Sequence, residues 1–180
     1  MARPHQDGLS RCGWLNDDDL YIRYHDEEWG RPISGDDAMF ERLSLEGFQA
    51  GLSWLTILKR RENFRRAFNG FVIEDVARFG EREVNRLLLD QGIIRHRGKI
   101  EAVIKNARLS LDVAGGLEAF VLGFEPSVDR RGLTLSPEST ELSKALRKMG
   151  FGFVGPTTMH ALMQATGMVS DHDEDCFLFS

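Results

Sequence analysis

The sequence predicts an all-α fold, and three observations predict it. Almost every periodic apolar segment repeats at a helical period. No segment alternates apolar and polar residues as a half-buried strand does. A glycine-rich turn, Gly150-Phe151-Gly152-Phe153-Val154-Gly155, separates two helical stripes with the spacing of a tight helix-hairpin-helix.

In chain order, Ser34 is placed to cap a helix whose first turn holds Asp36 and Asp37 and whose stripe is Met39, Phe40, Leu43 and Gly47. Ser53 is placed to cap the next, and Trp54, Ile57, Leu58, Phe64 and Phe68 carry one stripe through a basic block. Val84, Leu87 and Leu88 make a short helix closed by Gly92. Ile100, Val103, Ile104, Ala107 and Leu111 give the clearest stripe in the chain. Leu142, Ala145, Leu146 and Met149 give another, and Pro156 opens a last helix that ends at Gly167. Glu125 to Pro137 reads as an exposed loop.

A length of 180 residues with 42 % hydrophobic residues fits one domain, 1–180, with its core between about 11 and 176. No apolar run approaches the roughly 20 residues of a membrane span. Met1 to Ser10 holds no apolar signal segment, so a cytoplasmic location is expected. There is no oligomer signal, and a monomer is expected. The net charge of −5 argues weakly against a nucleic-acid partner. The charge is nevertheless segregated: Lys59, Arg60, Arg61, Arg65 and Arg66 form one basic block, and Arg95, Arg97 and Lys99 another. Either block is a phosphate-facing surface or an ordinary solvated helix face.

Three groups carry possible chemistry. Leu45 to Trp54 joins two helical patterns and places Glu46, Gln49 and Trp54 close together. It reads equally as an αα corner or as a pocket wall, with Gly47 and Gly51 allowing another backbone or a ligand to come close. The hairpin glycines would leave amides free for a phosphate at the start of the following helix, and Lys144, Arg147 and Lys148 could add attraction; a plain glycine-rich turn is the alternative. Cys12, His25, His172 and Cys176 form a Cys2His2 set if the chain ends meet, suited to one structural zinc ion. Two free thiols or a disulfide are the alternatives, the disulfide being disfavoured in the cytosol. His5, His96 and His160 show no partner.

Several strings resemble the type I 3-methyladenine DNA glycosylases. They are Arg11-Cys12-Gly13-Trp14, Tyr21-Ile22-x-Tyr24-His25-Asp26-x-Glu28-Trp29-Gly30, Leu45-Glu46-Gly47-x-Gln49-Ala50-Gly51-Leu52-Ser53-Trp54, Gly92-Ile93-Ile94-Arg95-His96-x-Gly98-Lys99-Ile100, Gly150-Phe151-x-Phe153-Val154-Gly155, and Met163-Gln164-Ala165-x-Gly167-x-Val169-x-Asp171-His172. Together they run from Arg11 to Cys176. The resemblance implies a helix-hairpin-helix glycosylase fold whose termini are joined by zinc on Cys12, His25, His172 and Cys176. It implies a monofunctional repair enzyme, without lyase activity, that flips 3-methyladenine out of duplex DNA and releases it as the free base. Glu46 would be the catalytic residue. Tyr24 and Trp54 would bind the base, with Trp14, Tyr21 and Trp29 around them. Gly51 and Leu52 would press into the gap in the DNA, so that close approach to DNA explains the glycines. Gly150, Gly152 and Gly155 would meet its backbone. In the resemblance, the general-base aspartate of other such glycosylases is missing from its usual place; Ser170 stands near there, beside Asp171. Leu122, Gly123, His160 and Leu162 depart from the family pattern and put the pocket's shape and its minor substrates, such as 3-methylguanine, in question.

Overall fold

The computed structural model describes residues 1–179. Among them, ten α-helices account for nearly all regular structure, as the sequence predicts. They are α1 (Asp19–Glu27), α2 (Asp36–Gln49), α3 (Trp54–Leu58), α4 (Arg61–Ala67), α5 (Ile73–Ala77), α6 (Glu81–Leu89), α7 (Arg97–Ser110), α8 (Leu117–Leu122), α9 (Pro137–Met149) and α10 (Pro156–Ala165). The only strands among the described residues are two-residue pieces, β1 (Arg3–Pro4) and β2 (Ser10–Arg11), paired antiparallel. A pairing that short has no period for a sequence to show.

Helix α2 is the hub. It packs against α3, α5, α7, α8 and α10. Its Met39, Phe40, Leu43, Leu45 and Phe48 are all buried, and Phe48 meets Phe64 at 4.5 Å between ring centroids. Each such side chain contributes on the order of 2 kcal/mol by burial, so α2 is held from several sides. A helix anchored this firmly is a rigid support for whatever its last turn carries. That turn holds Glu46.

The caps explain most boundaries. Ser53 accepts from the Thr56 amide at 3.2 Å and starts α3; Ser136 accepts from the Ser139 amide at 3.1 Å and starts α9 with Pro137 in its first turn. Three expectations need correction. Gly35, not Ser34, occupies the N-cap of α2, where φ is 99° and a side chain would be strained. The Trp54–Phe68 stripe is two helices, because the chain leaves helical geometry at Arg60, with ψ near 0°. Leu111 caps α7 and is exposed rather than part of its buried face. No helix among the described residues is long and apolar enough to cross a membrane.

Candidate active site and metal centre

A cavity of about 230 Å³ opens beside the end of α2. Trp14, Tyr21, Tyr24, Trp29, Glu46, Gln49, Trp54, Ala161, Gln164 and Asp171 line it. The aromatic residues singled out in the sequence therefore converge, although they come from the N-terminal segment, α1, the turn after it and α3. Their rings form two clusters on the cavity wall: Trp14 lies 5.0 Å from both Tyr21 and Trp29, and Tyr24 lies 5.3 Å from Trp54. The buried Trp54 indole N–H has no hydrogen-bond partner.

Glu46 is 4 % exposed. Among the described residues, no protein donor hydrogen-bonds to its carboxylate. Burial pushes its pKa up to about 7, and the nearby Arg42 guanidinium pulls the other way. A buried carboxylate at a cavity wall with no protein donor is completed by what enters the cavity. Asp171 differs: its two oxygens accept from the Gly132 amide at 2.5 Å and the Gln164 amide at 2.6 Å. Ser170 is exposed and does not line the cavity.

Gln164 and Asp171, which line the pocket, and Arg42, which stands behind its wall, were not assigned to it by sequence reasoning. Gln164 and Asp171 lie in one of the strings shared with the family, and Arg42 stands one helical turn before Glu46, so that those two face the same side of α2. Leu122, Gly123, His160 and Leu162, the departures from the family pattern, all lie off the cavity lining. His160 is a core residue, 3.3 Å from Ser136 Oγ.

A second depression shares Glu46, Gln49 and Ala161 with the first and adds Ala50, Gly51, Leu52, Thr157 and Thr158. It links the aromatic pocket to the start of α10. Leu52 is 41 % exposed at its rim, and Gly51 turns the chain with φ at 79° and open space around it. Gly47 does not share that role. A Cβ there would sit 3.3 Å from Phe153 Cβ, so it is the hairpin, not DNA, that this glycine admits. Lys99 is likewise not a phosphate contact: it is buried, and its Nζ donates to the carbonyls of Phe48 at 2.9 Å and Ala50 at 2.6 Å, capping the end of α2.

The hairpin also needs refinement. The Gly150 amide bonds to the Arg147 carbonyl at 2.9 Å, and the Gly152 amide bonds to Asn106 Oδ1 at 2.9 Å. Asn106 Nδ2 returns a bond to the Gly152 carbonyl at 3.0 Å. Those two amides are taken. Gly152 instead lets α7 come close, since a Cβ would lie 3.0 Å from that of Ala102. Asn106→Ala would leave both Gly152 backbone groups unpaired. It is expected to cost about 2 kcal/mol, or roughly 4–8 °C in Tm for a chain of this size. A melting curve equal to wild type would refute this reading of the lock. Much of the expected basic face is also neutralised. Lys59 pairs with Asp18 at 2.7 Å, Arg61 with Glu28 at 2.5 Å, Arg65 with Glu41 at 2.7 Å and Arg97 with Glu101 at 3.0 Å.

Behind the aromatic wall, Cys12, His25, His172 and Cys176 are all buried, with their ligand atoms within 4.8 Å of one another. Both cysteines are free, which removes the disulfide alternative. Cys12 Sγ lies 3.5 Å from His172 Nδ1; Cys176 Sγ lies 3.5 Å from His25 Nε2 and 3.7 Å from His172 Nδ1. Edges of about 3.5 Å are what a tetrahedral ion with ~2.3 Å sulfur and ~2.0 Å nitrogen bonds produces, so the four residues fit a metal ion. His25 Nδ1 donates to Asp26 Oδ1 at 2.8 Å, which turns Nε2 toward the centre. Arg11 fixes Asp26 in turn, at 2.9 Å from Nε. Burial pushes the Cys12 thiol up to about 12 and His172 down to about 4. The Asp173 amide, which donates to Cys12 Sγ at 3.3 Å, favours the thiolate against burial, and a bound cation would favour it further.

The sequence profile of a family described as methyladenine glycosylase matches residues 14–179. DNA-3-methyladenine glycosylase 1 of Escherichia coli (strain K12) is 49 % identical, over 93 % of this chain and 96 % of that protein. A crystal structure of a 3-methyladenine DNA glycosylase I superposes with a TM-score of 0.90 at 45 % identity, covering 94 % of this chain and 100 % of the other. The Staphylococcus aureus 3-methyladenine DNA glycosylase I, described for its recognition of 3-methyladenine, gives 0.88 at 33 % identity, covering 94 % and 96 %.

Proposed function

Because the chain belongs to the methyladenine glycosylase family, we propose that it excises 3-methyladenine from alkylated DNA. It hydrolyses the N-glycosidic bond, leaves an abasic site and has no lyase step, which places it in base-excision repair. The observation that carries the reading is Glu46: a buried carboxylate, free of protein donors, at the edge of an aromatic cavity.

The chemistry follows from the charge on the substrate. A 3-methylated adenine is cationic while attached to DNA. When the bond from C1′ to the base breaks, its electron pair moves onto the ring and neutralises it, so no proton from the protein is needed. The oxygen of water bonds to C1′ and its proton passes to the medium. The faces of Trp14, Tyr21, Tyr24, Trp29 and Trp54 attract the cationic ring, and only a base extruded from the stack reaches them. Glu46 accepts from the exocyclic amine and places negative charge beside the cation. Asp171, its oxygens already engaged, contributes fixed negative charge rather than a free base.

Leu52, presented by Gly51, fills the gap in the duplex. Gly150 and Gly155 shape the hairpin, and the backbone from Phe153 into the first turn of α10 offers the amides for a phosphate. Zinc is the ion we assign to the Cys2His2 cluster. Cys12, His25, His172 and Cys176 would hold it, two thiolates would offset its charge, and four protein ligands would make its role structural. We read residues 1–180 as one monomeric domain working on double-stranded DNA in the cytoplasm. Incubation with methylated duplex DNA should release free 3-methyladenine. Binding without release would reduce the chain to a damage-recognition module and sink the enzyme reading.

A further inference from the structure

Arg42 lies on α2 one turn before Glu46 and is 8 % exposed. Its guanidinium donates to Tyr24 Oη at 2.9 Å. It stands 5.5 Å from the Tyr24 ring centroid and 5.7 Å from that of Trp54, behind the cavity wall. Arginine holds five donors and no acceptor, and stays charged at any relevant pH. In its bond to Tyr24 the phenol oxygen must therefore accept. The phenol's own hydrogen is left over, and Tyr24 lines the cavity.

We propose that Arg42 is a positioning residue for base recognition: it makes the Tyr24 hydroxyl a donor and Glu46 an acceptor toward the flipped base. The inference rests on the glycosylase reading of this pocket. A donor beside an anionic acceptor matches a ring nitrogen next to an exocyclic amine, as adenine presents. A guanine edge presents a carbonyl oxygen where the amine would be, and Glu46 would repel it.

The other charged groups near Glu46 do not replace Arg42. Glu28, on the segment after α1, is neutralised by Arg61 from α4 at 2.5 Å and only grazes Arg42 at 3.9 Å. Lys99 from α7 is committed to two carbonyls. Asp171, from the C-terminal segment, is anionic and engaged. Tyr24 itself is held by Arg42, and α10 contributes the neutral Ala161 and Gln164 to this wall. Among the described residues, the cation whose charge bears on Glu46 is Arg42, one turn before it on α2.

The test uses Arg42→Met, which removes charge and donor, and Arg42→Lys, which restores both in another shape. Glu46 is followed by carboxyl carbon NMR, its signal assigned by its absence in Glu46→Gln. In Arg42→Met the Glu46 midpoint and the acid limb of 3-methyladenine release should both rise by about one pH unit. Preference for 3-methyladenine over 3-methylguanine should fall by about tenfold. Arg42→Lys should return the midpoint to its wild-type position. An unmoved midpoint in Arg42→Met, or no rescue by Arg42→Lys, overturns the proposal. If Arg42→Met does not fold, Arg42→Gln serves as the uncharged variant, with the same shift expected. A wild-type chain that released no base would overturn the functional reading alone, because the carboxyl midpoints still decide what Arg42 does.

Discussion

Glu46→Gln is expected to lower 3-methyladenine release at least about a hundredfold and, at the same time, to stabilise the protein above neutral pH. The two effects share one cause. Glutamine keeps the shape and one acceptor oxygen but loses the charge that faces the cationic base. It also loses the cost of burying that charge. The side chain ordinarily titrates near 4.5, and burial raises it to about 7 in the fold. Between those values the folded state binds more protons than the unfolded chain, so stability falls as pH rises. Glu46 thus leaves stability intact below pH 4.5 and removes up to about 3 kcal/mol by the time the pH has passed about 7. Glutamine does not titrate and escapes this loss. At pH 8 the variant should melt roughly 6–12 °C above wild type, and at pH 4 the two should converge. Near-normal base release by Glu46→Gln would remove the residue from the mechanism. A variant less stable than wild type at pH 8 would show that the buried charge is compensated by something other than its ligand. The trade of stability for a charged site is what a catalytic rather than structural carboxylate should show.

What the sequence showed and what it hid divide along physical lines. Long amphipathic helices such as α7 and α9 were legible because a 3.6-residue stripe repeats several times within them. Helices α1, α5 and α8 were not read from the sequence, and α5 and α8, with five and six residues, are too short for a period to stand out on their own. The cluster of Cys12, His25, His172 and Cys176 was visible only as four residue types at opposite ends of the chain; spacing alone left other pairings open. The aromatic and acidic residues of the pocket lie in long strings shared with a known family. Arg42 lies outside them, and its significance depends on which way Tyr24 turns. Lys99 and Gly152 were misjudged for the same reason as each other. A lysine and a glycine near a presumed phosphate site look functional until their partners are known. Here the partners are two helix-end carbonyls for Lys99 and a buried asparagine for Gly152.

Cys176→Ser should be the most destabilising of the conservative substitutions, and its damage should reach the pocket. Cys176 is 5 % exposed, and its sulfur faces both His25 and His172. A serine hydroxyl is a poor ligand for zinc and, buried without a donor to satisfy it, costs more than the missing bond alone. Losing a structural metal belongs with the large effects, above about 4 kcal/mol, which corresponds to a fall in Tm of roughly 8–16 °C or more. The link to function runs through the imidazoles. Trp29 meets the His172 ring edge-on at 4.8 Å, and Trp14 meets His25 at 5.6 Å. Gly30 also presses against His172, where an added Cβ would lie 3.2 Å from Nε2. Two walls of the pocket therefore lean on residues of the proposed metal site. Chelation of wild-type protein should accordingly lower Tm and weaken binding of free 3-methyladenine together, and re-addition of zinc should restore both. The decisive measurement is metal content against Tm in wild type, Cys176→Ser and Cys12→Ser. About one zinc per wild-type chain and a matching loss of metal and stability in both variants are expected. Stable, metal-free wild-type protein with an intact pocket would show that four close ligands had been packed together without an ion to hold.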